Sequence, residues 1–113
     1  MRPPMRQRIV YHETLKDDQG NPIEDKFGRP QTVRWESLAR VQRRSRVVTD
    51  ARGTERRITL EIDLPPDINP EVGLELEFEE PGGEWGKGTI VTKDEAISLT
   101  GTRVFYRTVF VDG

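Results

Sequence analysis

Apolar and polar residues alternate with period two along much of the chain, the pattern of strands with one buried face and one wet face. In the clearest run, Ile58, Leu60, Ile62 and Leu64 interleave with Arg57, Thr59, Glu61 and Asp63. A second run sets Val72, Leu74, Leu76 and Phe78 against Gly73, Glu75, Glu77 and Glu79, and the prolines of Pro65-Pro66-Asp67-Ile68-Asn69-Pro70 mark a turn between the two. Further strands are expected over residues 8–13, 32–42, 89–92 and 103–111. Val33, Trp35, Ala39 and Val41 share one face of the 32–42 segment. Trp35, Leu38 and Ala39 also fit helical spacing, but β-branched and aromatic content favours a strand. The stretch Pro81-Gly82-Gly83-Glu84-Trp85-Gly86-Lys87-Gly88 reads as a glycine-rich turn, and Thr92-Lys93-Asp94-Glu95 has the spacing of a capping box opening a one- or two-turn helix. Residues 14–31 hold two turn-rich clusters in one long irregular connection, and no internal repeat stands out. Six short strands predict one all-β domain over residues 1–113, a small antiparallel barrel or sandwich.

Composition narrows the class. Hydrophobic residues make up 33% of the chain and charged ones 34%, which implies a lean core under a heavily charged surface. With no cysteine, disulfides and thiolate metal sites are excluded. No apolar run approaches the roughly 18–20 residues of a membrane helix. The start, Met1-Arg2-Pro3-Pro4, lacks the apolar stretch of a signal peptide, so a soluble cytoplasmic product without membrane contact is expected. The net charge of −2 hides an asymmetry: residues 1–57 carry 14 Lys and Arg against 8 Asp and Glu, and residues 58–113 carry 4 against 12. Such polarity suits head-to-tail contact between copies, unless strand interleaving scatters it.

The chemistry-bearing residues argue for binding rather than catalysis. One histidine and no cysteine leave any nucleophilic system resting on His12, which stands between Tyr11 and Glu13 without a motif. Gly86-Lys87-Gly88-Thr89 has glycine where a phosphate loop needs Ser or Thr after the lysine. No catalytic residue, metal ligand or cofactor is assigned. Glu61, Asp63, Glu75, Glu77 and Glu79 form an acidic outer face if their two strands pair, which sets like charges side by side. Such a face is either solvated, covered by a neighbouring subunit or relieved by a divalent ion, though no calcium-loop pattern occurs. Between two apolar strands lies an arginine-rich segment. Arg40, Arg43, Arg44, Arg46, Arg52, Arg56 and Arg57 flank the turn Asp50-Ala51-Arg52-Gly53, and no lysine interrupts them. Its projecting hairpin loop, residues 43–57, is suited to phosphate or carboxylate contact. Without interleaved aromatics, backbone contact to double-stranded DNA is a better fit than base stacking.

The order and spacing of these features resemble the head–tail connector proteins of tailed bacteriophages, of the head-closure or stopper type. The residues that carry the likeness are a first strand at 7–13, the turn Asp17-Asp18-Gln19-Gly20-Asn21-Pro22, and Trp35 with Ala39 and Val41 on the next strand. A polar loop at 42–57, the strand at 58–64 and a short closing strand complete it. Glu36-Ser37-Leu38 separates Trp35 from Ala39 where the family has closer spacing, and the density of arginines departs from the family as well. The resemblance implies a small β-barrel whose copies form a homo-oligomeric ring in the virion, with portal or adaptor above and tail proteins below. It implies that Arg43, Arg44, Arg46, Arg52, Arg56 and Arg57 face the DNA channel and that the 14–31 loop reaches the adaptor or an adjacent subunit.

Overall fold

The computed structural model describes residues 4–98, 100, 101 and 103–112. They form six antiparallel strands in one sheet, with no helix among the described residues: β1 (Gln7–Thr14), β2 (Thr32–Thr49), β3 (Glu55–Leu64), β4 (Glu75–Glu79), β5 (Trp85–Ile97) and β6 (Val104–Asp112). The order β1-β2-β3-β6-β5-β4 closes as a barrel, because β1 pairs with β2 on one side and with β4 on the other. Alternation fills it: Ile9, Tyr11, Ala39, Val41, Leu60, Ile62, Leu64, Leu76, Phe78, Ile90, Val109 and Val111 share one buried cluster. Burying each large aliphatic side chain contributes about 1.5–3 kcal/mol, so even this lean set holds a small domain.

Closure changes what the two clean strand runs do. They form no hairpin, since β3 and β4 stand opposite each other with two strands between them in either direction. The linking residues 65–74 drop Ile68 into the core cluster. Arg107 Nε donates to Pro66 O at 2.8 Å and Lys93 Nζ to Asn69 Oδ1 at 2.9 Å, which pins the link at both strands it passes.

The expected helix at 92–95 is instead part of β5, and Trp85 to Gly88 belong to the same strand, leaving only residues 80–84 as the turn. A bulge between Ile90 and Thr92 explains why the period broke there, because it turns two neighbours, Ile90 and Val91, into buried positions.

Residues 15–31 are ordered by a repeat that sequence reading missed. Leu15-Lys16-Asp17-Asp18-Gln19-Gly20-Asn21-Pro22 and Ile23-Glu24-Asp25-Lys26-Phe27-Gly28-Arg29-Pro30 share the pattern Asp-x-x-Gly-x-Pro at a spacing of eight. In each, one Asp Oδ1 accepts from two backbone N–H groups: Gln19 and Asn21 onto Asp17, Phe27 and Arg29 onto Asp25. Gly20 and Gly28 take positive φ of 83° and 76°, the conformation that closes the turn. Leu15 N donates to Gln31 O, Gln31 N to Ile23 O and Ile23 N to Leu15 O, so the two turns and the β1–β2 hairpin meet at a three-way junction.

Candidate nucleic-acid and subunit interface

The arginine-rich segment is two paired strands rather than a loop. Val47 pairs with Arg57, Val48 with Arg56 and Thr49 with Glu55, and only residues 50–54 turn. Asp50 repeats the device of the 15–31 region: its Oδ1 accepts from Arg52 N at 2.9 Å and Thr54 N at 3.0 Å. These bonds, the Thr54 one foremost and then the Arg52 bond and the nearby Arg56 and Arg52 charges, hold the Asp50 carboxyl below its ordinary range. The β3–β6 pairing runs from Leu60 to Leu64, so residues 55–58 of β3 and their β2 partners form a two-stranded arm. A second small cluster of Ile58, Val91 and Phe110, with Val48 against it, holds the arm to β5 and β6. The tip, with Ala51 and Arg52, shares a cleft of about 480 Å3 with Val72, Gly73 and Val91.

Of the six arginines expected to face a channel, three are committed within the chain. Arg43 pairs with Glu80 and lies over the Phe78 ring, Arg46 pairs with Glu61 and lies over Phe110, and Arg56 pairs with Asp112. Arg57 Nη1 donates to Ser45 Oγ at 2.9 Å. Arg44 and Arg52 are exposed and, with Arg40, form no ion pair among the described residues.

The acidic residues divide likewise. Glu61 and Asp63 point outward from β3 yet are both only 5% exposed. Arg46 Nε lies 2.7 Å from Glu61 Oε1, although not aligned for a hydrogen bond, while Asp63 accepts from Gln42 Nε2 at 3.0 Å and Thr108 Oγ1 at 2.7 Å. Glu75 and Glu77 on β4 are exposed and Glu79 is half-buried. Glu77 faces Lys87 in register, and Lys87 Nζ lies 3.9 Å from Glu75 Oε1. The single acidic face expected from the sequence is therefore two faces on opposite walls of the barrel.

The exposed His12 is opposite Arg34 across the β1–β2 pairing. Among the described residues no group of three or more His, Cys, Asp or Glu is arranged to hold a metal ion, and no helix is long and apolar enough to cross a membrane. Lys87 and its flanking glycines lie in strand β5, where Gly86 faces the Phe78 ring. Compared with known proteins, the chain matches no family model, and no curated protein or solved structure is significantly similar to it.

Proposed function

We propose that this chain is a structural subunit without enzymatic activity that assembles into a ring at the head–tail junction of a tailed-phage virion. There it closes the portal channel after DNA packaging and joins the tail. The reading rests on the resemblance carried by the Asp17-to-Pro22 turn and by Trp35, Ala39 and Val41. Its main support is a division of charge: Arg44 at the β2 bulge and Arg52 at the tip of the braced arm form no ion pair among the described residues, while Glu75 and Glu77 stand exposed on the wall opposite β3. A subunit with unlike charged surfaces forms heterologous contacts, which close into a ring when the rotation allows. Neighbouring neck roles, such as adaptor, tail terminator or minor capsid protein, use the same surfaces. The test is to mix the purified chain with a portal–adaptor complex and image it. Ring density at the tail-facing end is expected, and its absence overturns the proposal.

A freestanding nucleic-acid-binding barrel is the second reading, favoured by the exposed Arg44 and Arg52. It requires the lone chain to bind duplex DNA with an affinity that falls as salt rises. The net charge of −2 weighs against it, since dedicated binders are usually basic.

A further inference from the structure

Beside β1, where the 65–74 link passes, lies a cavity of about 420 Å3 whose walls include Tyr11, Glu13, Leu15, Pro70, Glu71 and Leu74. Tyr11 is 4% exposed, and its hydroxyl has no hydrogen-bond partner among the described residues. Glu13 and Glu71 are exposed, and neither has an ion-pair partner among the described residues. Burial first, then the charges of Glu13 and Asp67, push the Tyr11 hydroxyl above its ordinary value, as expected at an electronegative site. Leu15, Pro70 and Leu74 supply the apolar lining. The chemistry that fits is a cation on an aliphatic stem. Methylenes pack against the apolar wall, and the head group donates to carboxylates and a phenolic oxygen. Arginine meets it better than lysine, because its planar fork can reach a carboxylate with two bonds and still donate to the hydroxyl.

We propose that this cavity receives Arg52 from the arm of a second copy of the chain, as the contact that links neighbours in the ring. The inference rests on the ring reading above. Arg52 stands in the five-residue turn at the arm's apex, exposed and in no ion pair among the described residues; the Asp50 carboxylate, which feels its charge, already accepts from two backbone N–H groups. The turn beneath it is fixed by Asp50 Oδ1 and by Gly53 at φ 80°, so the backbone is presented already ordered and only the side chain's rotamers remain to be fixed on binding. Within its own chain Arg52 lines the neighbouring cleft, with Val72 and Gly73, rather than this cavity. The arm's cleft and the cavity adjoin along residues 70–74 but are lined by different residues, so each copy can give one contact and take another, which closes a ring where the rotation between copies allows.

The chain has no cysteine, which allows disulfide trapping without background. Lys16→Cys lies at the cavity and Ala51→Cys beside Arg52. The two full-length single variants are mixed under mild oxidation and run without reductant. A mixed disulfide dimer is expected several-fold above either homodimer, reduced to background when Glu13→Gln and Glu71→Gln are added to the Lys16→Cys chain. Equal yields of all three dimers, or a mixed dimer indifferent to Glu13→Gln and Glu71→Gln, overturn the assignment. A bond that forms only inside the Lys16→Cys/Ala51→Cys double variant places Arg52 in its own cavity and also overturns it. Failure of the parent reading looks different: rings on the portal without the trapped dimer sink this contact alone. A trapped dimer without rings sinks the virion role alone.

Discussion

Phe78 and Gly86 are direct partners across β4 and β5, and a Cβ built on Gly86 meets the Phe78 ring at 2.9 Å. Glycine here provides space for an interior aromatic, not a phosphate cradle. Gly86→Ala is expected to cost about 1–3 kcal/mol, the usual range for overpacking a filled interior. Urea denaturation measures it, and a loss below about 0.5 kcal/mol would show that the ring has room to move. Asp50 offers a pH-dependent counterpart. Its carboxyl is held below the ordinary 3.8, so its contribution is complete above that value and is lost as pH falls through the lowered folded pKa. Amide exchange at Arg52 and Thr54 is therefore expected to speed up as pH falls below 4, relative to the base exchange trend. In Asp50→Asn that extra acid sensitivity should vanish. If both proteins show the same pH profile, the carboxylate is not what secures the turn.

At the scale of elements, the arm poses a choice between two anchors. Arg56 and Asp112 form an ion pair between partly exposed side chains, while Ile58, Val91, Phe110 and Val48 form an apolar contact. Exposed pairs contribute about 0–1 kcal/mol, whereas truncating a buried isoleucine to alanine costs about 2–5 kcal/mol. Ile58→Ala should therefore destabilise the protein by at least about 2 kcal/mol and Arg56→Ala by less than about 1, both read by thermal or urea unfolding. The reverse ranking would mean that the arm is held electrostatically. The same elements show how much the sequence discloses. The Ile58-to-Leu64 run is a strand with its apolar side chains buried and was legible, whereas of the Val72-to-Phe78 run only residues from 75 on are strand, Leu74 being partly buried and Val72 exposed. Pairing was not: hydrophobic period says which face is buried, but not which strand lies alongside, so β3 and β4 read as neighbours. The bulge at Ile90 and Val91 defeated the period itself and let a capping-box spacing at Thr92 and Glu95 pass for a helix. The Asp-x-x-Gly-x-Pro repeat was fully present in the sequence and went unread. Each unit is too short to carry a hydrophobic period, and only its side-chain-to-backbone bonds mark it as structure. Candidate site residues were found by type, yet which arginines are already paired depended on Glu61, Glu80 and Asp112, all distant in sequence.

For the whole molecule, that pairing sets how many arginines are free for the proposed contact with DNA. Each phosphate neutralised releases counterions, and the logarithm of affinity falls with the logarithm of salt by about 0.9 per contact. Six free arginines would give a slope of about −5.4. With Arg43, Arg46 and Arg56 committed to Glu80, Glu61 and Asp112, only Arg44, Arg52 and Arg57 remain of the six, and the slope falls to about −2.7. Anisotropy of a labelled duplex across a salt series measures it for the lone chain, where no neighbour takes up Arg52. Arg44→Ala with Arg52→Ala should bring the slope to about −0.9 without loss of fold, because neither side chain is packed or paired. Removing Arg46 differs in kind: it strands the buried Glu61 carboxylate, so Arg46→Ala is expected to lower stability before it changes affinity. A wild-type slope near −5 would show that DNA draws the committed arginines away from their carboxylates. The internal ion pairs would then be reserves of the binding surface rather than parts of the scaffold.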